Sequence, residues 1–106
     1  MNYTPVRHHL VEAILSDPNG EWTVREMTER LSTRDTVPTG AVQDSLYLML
    51  ANNFLEAVPF QQHLTLRLRH DQTNPFAPTA TVAKRLADLL ARWREQHGTA
   101  PPRRSN

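Results

Sequence analysis

Cysteine is absent from this 106-residue chain, which excludes disulfides and thiolate metal sites. Lysine is nearly absent too: Lys84 stands alone beside eleven arginines. With three glycines, no glycine-rich loop is available to cradle a phosphate. No apolar run approaches about 18 residues and no apolar segment follows a basic N-terminus, so neither a membrane span nor a signal peptide is expected. A cytoplasmic protein is therefore expected. Paired carboxylates and a nucleophile–base set are also lacking, so no catalytic site and no cofactor are expected. The five histidines do not suggest a metal. His8 and His9 are adjacent, so on a helix they point about 100° apart, and no Cys or carboxylate cluster accompanies them.

The length suits one domain with a modest core. The net charge of +1 hides an asymmetry. Residues 1–35 carry four Arg against six acids, and residues 36–62 carry only Asp44 and Glu56. Residues 63–106 carry seven Arg and Lys84 against three acids. A positive field in the second half suggests an anionic partner, and Arg suits planar, bidentate contact with phosphate or guanine.

Local signals divide the chain into short elements. Thr4-Pro5 can cap and open a helix whose apolar face is Val6, Leu10, Ala13 and Ile14. Asp17-Pro18-Asn19-Gly20 stops it, and Glu21-Trp22 can form a short third strand. Thr23 and Glu26 make a capping box, starting a helix that buries Val24, Met27 and Leu31. After a polar connection from Ser32 to Pro38, a third helix is expected over Thr39–Asn53. Its apolar face is Val42, Leu46, Met49 and Leu50, and its outward face begins with Thr39, Gly40, Gln43, Asp44 and Tyr47. Asn52-Asn53 suits the left-handed turn that ends many helices. A hairpin follows, with strands Phe54–Val58 and His63–Arg69 about a Pro59–Gln62 turn. Its period of two turns Leu64, Leu66 and Leu68 inward and His63, Thr65, Arg67 and Arg69 outward.

Residues 1–70 thus read as one domain of three helices and a hairpin and 71–78 as a connector with prolines. A last helix over 79–97 is capped by Thr79 or Thr81 and stopped by Gly98. Residues 98–106 read as a basic disordered tail. Val82, Leu86, Leu89 and Trp93 are spaced 4, 3, 4, and Leu90 widens the stripe. Because the connector separates this helix from the rest, the stripe is expected to be a homodimer seam.

Helix, turn, helix and two-stranded wing is the order of a winged helix-turn-helix. Leu46 to Glu56 resembles the end of the recognition helix and the start of the wing in regulators of the PadR, MarR and ArsR kind. Asn53 stands where Gly is usual. Thr23 to Leu31 resembles their second helix, and the last helix resembles their appended dimerisation helix. The resemblance implies a mainly α fold with a small β-hairpin (α+β) and a DNA-binding regulator, most simply a dimeric repressor or autoregulator. Double-stranded DNA would be met by Thr39, Gln43 and Tyr47 of the third helix, by His63, Arg67 and Arg69 of the wing, and by Arg34 beside the second helix. Arg103 and Arg104 could add a flexible arm.

The presumed recognition helix departs from such readers, since it has no Lys or Arg and carries Asp44. The alternative is therefore a winged-helix module that binds another protein in a replication, partition or phage complex through the surface around Asp44, Tyr47 and Leu48. A third reading places a small-molecule pocket between the last helix and the core, lined by Trp22 and Trp93.

Overall fold

Side-chain caps set the first two helix starts. Thr4 Oγ1 accepts the Arg7 N–H at 3.1 Å, and α1 runs Pro5–Ser16 with its proline in the first turn. Thr23 Oγ1 accepts the Glu26 N–H at 3.1 Å while Glu26 Oε1 accepts the Thr23 N–H at 3.0 Å. This reciprocal pair opens α2, Val24–Leu31. The computed structural model describes residues 1–33 and 36–98, so Arg34 and the tail beyond Gly98, with Arg103 and Arg104, lie outside the described residues.

Among the described residues the architecture is α+β: four helices and a small three-stranded antiparallel sheet. The remaining elements are β1 (Trp22–Thr23), α3 (Thr39–Ala51), β2 (Leu55–Ala57), β3 (Thr65–Leu68) and α4 (Ala80–His97). The sheet order is β1-β3-β2, so the short strand expected at Glu21-Trp22 forms one residue later, at Trp22–Thr23, and lies against the hairpin. Asn53 has φ 63° and accommodates the turn that ends α3 and admits β2.

The hairpin loop is longer than expected. Val58 N–H donates to Thr65 O at 2.8 Å, leaving residues 59–64 in the turn. Leu64, expected inward, is 42 % exposed, whereas Leu66 and Leu68 are buried. The register sets Glu56 opposite Arg67 and Leu55 opposite Leu68.

One core joins all the elements, with Leu10, Val11, Ile14, Met27, Val42, Leu46, Met49, Leu66, Leu68 and Leu86 nearly solvent-free. On α1 the buried face includes His8 and Val11, whereas Val6 and Ala13 are only partly covered. Leu50 of α3 is partly covered as well.

The expected dimer seam is a correction. Val82, Leu86, Leu90 and Trp93 are buried within their own chain, and Leu89 is partly buried against the same cluster. The physical reason lies in the connector, which folds back instead of separating the helix. Asp71 N–H donates to Pro78 O at 2.6 Å. The Asp71 carboxylate accepts from Thr73 N–H at 2.9 Å, Thr73 Oγ1–H at 2.6 Å and Thr81 Oγ1–H at 3.1 Å. These bonds hold the Asp71 carboxyl below its ordinary value and turn α4 onto α1. Thr79 is the N-cap of α4 without a side-chain bond, and Gly98, at φ 81°, ends it. Trp22 and Trp93 are core residues, which removes the basis for a pocket between them.

The α1–α4 contact carries an aromatic cluster. Tyr3 stacks on His97 at 3.8 Å and meets Trp93 edge-on at 5.6 Å. Arg94 reaches Glu12 at 3.0 Å. His8 sits beneath them, fully buried, with neither ring nitrogen hydrogen-bonded. Its Nε2 lies 3.7 Å from Glu12 Oε1.

Leu86→Ala should cost about 2–5 kcal/mol, as for other buried leucines, with a melting temperature independent of protein concentration. A midpoint that rises with concentration would restore the seam to a dimer. The pKa of His8 is lowered first by burial, an effect that Glu12 opposes and that His9, Arg94 and His97 reinforce. Folding therefore favours neutral His8, so stability is full above the unfolded value near 6.5 and declines as pH falls below it. Urea midpoints should drop between pH 7.5 and 5.5, and His8→Phe should flatten that drop; an equal drop in the variant would acquit His8.

Candidate functional site

The start of α3 is exposed and open. Pro38 is its N-cap and no side chain caps it. Thr39 and Gly40 are exposed, and a Cβ placed on Gly40 would meet nothing within 4 Å. One turn on, Gln43 Nε2–H donates to Tyr47 Oη at 3.2 Å, so the two side chains are held together along one stripe. Tyr47 is 44 % exposed.

Across from this stripe stands the hairpin loop. Because residues 59–64 form the turn, His63 and Leu64 leave the ladder and face α3. Beneath them, the pairing of Trp22 with Leu66 and of Thr23 with Thr65 fixes the start of α2 against the same hairpin. The result is a groove of about 450 Å³ lined by Thr23, Val24, Arg25, Thr39, Gln43, Tyr47, His63 and Leu64. Its walls combine hydroxyl, amide and imidazole groups with the apolar surfaces of Val24, Leu64 and Tyr47. Its one full cation, Arg25, is paired with Glu29 at 3.2 Å, an exposed contact of small worth.

Four of the expected DNA-contacting residues, Thr39, Gln43, Tyr47 and His63, therefore share one groove. Two others do not join them. Arg67, expected on an open basic face, is a correction: its Nε donates to Glu56 Oε2 at 2.8 Å, and its Nη1 lies 3.9 Å from Glu21 Oε2. The antiparallel register sets Glu56 directly opposite, and the pair is about three-quarters buried on each side. Arg69 lies at the far end of β3, five residues or about 17 Å of extended chain from Leu64. Its Nη1 donates to Asn53 Oδ1 at 2.7 Å. Thr23, Val24 and Leu64 do not stand out in the sequence as contact residues, whereas the four-residue spacing of Arg25 and Glu29 already points to the pair that forms. The capping box at Thr23 was the available signal, because it places the start of α2 beside β1.

Among the described residues no group of three or more His, Cys, Asp or Glu side chains could hold a metal, and no helix is long and apolar enough to cross a membrane. No protein-family model, curated protein or solved structure matches the chain.

The Arg67–Glu56 pair generates a stability prediction. Arg67→Ala and Glu56→Ala should each destabilise by on the order of 1 kcal/mol, with a double-mutant coupling of similar size. A coupling near zero would mean that the pair does not constrain the hairpin in solution.

Proposed function

We propose that the chain is a winged helix-turn-helix that binds duplex DNA as a non-catalytic regulator, with α3 as the groove-entering helix and the β2–β3 hairpin as the wing. The observation that carries this reading is the single groove formed by Thr39, Gln43 and Tyr47 of α3 with His63 of the hairpin loop. The order helix, strand, helix, helix, hairpin, with β1 added to the hairpin edge, supports it. An exposed helix start supports it as well, since free N–H groups there attract phosphate oxygens. Amide and hydroxyl groups on α3 are chemically suited to base edges and phosphates.

A second reading keeps the groove and changes the partner. The α3 helix has no basic side chain, Arg67 is tied to Glu56, and Phe60 and Phe76 are almost fully exposed. These features suit a protein-interaction module, whose partner would contact the uncharged groove walls.

Gly40→Glu separates fold from function. A Cβ at this position meets nothing within 4 Å, and the substitution adds an acid to the first turn, which should leave stability equal or raise it by about 0.3–1 kcal/mol. The same charge should weaken duplex binding by about tenfold or more through repulsion of phosphate. Anisotropy with the chain's own upstream duplex and a scrambled duplex, at two salt concentrations, checks this. Preferential upstream binding lost in Gly40→Glu supports DNA reading. No duplex binding at about 150 mM salt transfers the groove to a protein partner.

A further inference from the structure

We propose that a second phosphate-binding face, made by Arg69, Arg85 and Arg92, runs from the end of β3 along α4 and grips the phosphodiester backbone of nucleic acid away from the α3 groove. The inference rests on the nucleic-acid reading above but uses none of the same side chains.

Three observations carry it. First, these arginines have no carboxylate partner within 4.0 Å among the described residues, whereas Arg25 and Arg94 each have one and Arg67 has two; Arg7 and Arg30 also lack one but are tied to Ser45, the Asn2 carbonyl and Ser16. Second, two of the guanidinium groups are already held in place. Arg69 Nη1 donates to Asn53 Oδ1 at 2.7 Å, and its backbone N–H donates to Phe54 O at 3.0 Å. Arg85 lies over the Phe54 ring, 4.9 Å from its centre. Both are thus anchored on Asn53-Phe54, and less side-chain freedom is lost when an oxyanion binds. Third, the surface is concave. Arg69 and Arg85 share a depression of about 340 Å³ with Asn53, His70 and Thr81. Arg85 and Arg92 share an adjoining one of about 300 Å³ with Met1 and Leu89.

The acids at this face are engaged. Asp71 borders the first depression, but its oxygens accept three hydrogen bonds from Thr73 and Thr81. Asp88 borders the second and pairs with Lys84 at 3.2 Å. Their charges still oppose an anion, and the three guanidinium groups outnumber them.

Spacing selects a polymer over a single ion. Arg85 and Arg92 are seven residues apart on one helix face, about 10 Å along the axis. A single phosphate bridges them only if both side chains bend toward it, whereas a strand whose successive phosphates advance by about 3.4 Å along the duplex axis can meet each one separately. An extended polyanion engages the whole row.

The test compares the full chain with the triple variant Arg69→Ala, Arg85→Ala, Arg92→Ala, and with the triple Lys variant that keeps the charge. Each is titrated by anisotropy against a random-sequence duplex at several salt concentrations, alongside Gln43→Ala/Tyr47→Ala. Thermal melts establish that the variants fold. The Ala triple should lose about tenfold or more in affinity, with a log–log salt slope shallower by about 3, as for three lost phosphate contacts. The Lys triple should recover most of both. A folded Ala triple that binds like wild type overturns this face and leaves the α3 reading standing. Binding that survives Gln43→Ala/Tyr47→Ala but fails in the Ala triple supports the face and counts against α3 as the contact. Free phosphate or a mononucleotide competing as well as duplex at equal phosphate concentration overturns the polymer assignment. Tighter binding to polyglutamate than to duplex overturns nucleic acid in favour of an acidic protein. Absence of binding to any of these probes overturns both readings.

Discussion

Strand β3 sets the register of the sheet and, through it, both walls of the α3–hairpin groove. It is four residues long, yet it pairs with β1 on one side and β2 on the other. Its Leu66 and Leu68 are among the most deeply buried side chains. Pairing with β1 fixes Thr23, and Thr23 starts α2 through the capping box. Pairing with β2 fixes the hairpin and, through the left-handed Asn53, the end of α3. The groove between α3 and the hairpin exists because one strand positions both its walls. Slippage of β3 by one residue would turn Leu66 and Leu68 to solvent, so the core locks the geometry of the surface.

Charge on this molecule is sorted by pairing rather than by abundance. The sequence is most basic after residue 62, but the structure neutralises Arg67 at the sheet and Arg94 at the α1–α4 contact. It leaves Arg69, Arg85 and Arg92 without carboxylate partners among the described residues. The α3 groove is consequently almost uncharged, and the positive field lies at the opposite end of β3 and on α4. A binding mode that uses both surfaces divides its labour: amide, hydroxyl and imidazole groups at the groove, and electrostatic attachment elsewhere.

Local chemistry was legible in the sequence. The Thr4 cap, the Thr23–Glu26 box, the Asn53 turn and the short strand at Trp22 are each specified by neighbouring residues, and each occurs where that chemistry places it. The outward stripe of Thr39, Gln43 and Tyr47 was legible for the same reason. What depends on distant contacts was not. A 4, 3, 4 stripe on α4 reads alike whether a partner or the chain's own α1 covers it, and the connector's hydrogen bonds decide between them. A four-residue turn sets Glu56 opposite Thr65. Lengthening it to six shifts the register by two residues, which keeps Leu66 and Leu68 inward but brings Glu56 to Arg67. His8 was legible as a helix residue, but not as a core one. Its burial follows from the Tyr3–Trp93–His97 cluster, which joins the two ends of the described chain.

The α3–hairpin groove is proposed to meet duplex DNA. Titrating the isotopically labelled protein with a duplex of its own upstream region, and following backbone amide shifts, tests it residue by residue. The largest shifts should fall on Thr39, Gly40, Gln43, His63 and Leu64, with smaller ones at Arg69 and along the Arg85–Arg92 face. Shifts confined to the α4 face, or spread over residues outside both surfaces, would contradict the proposal.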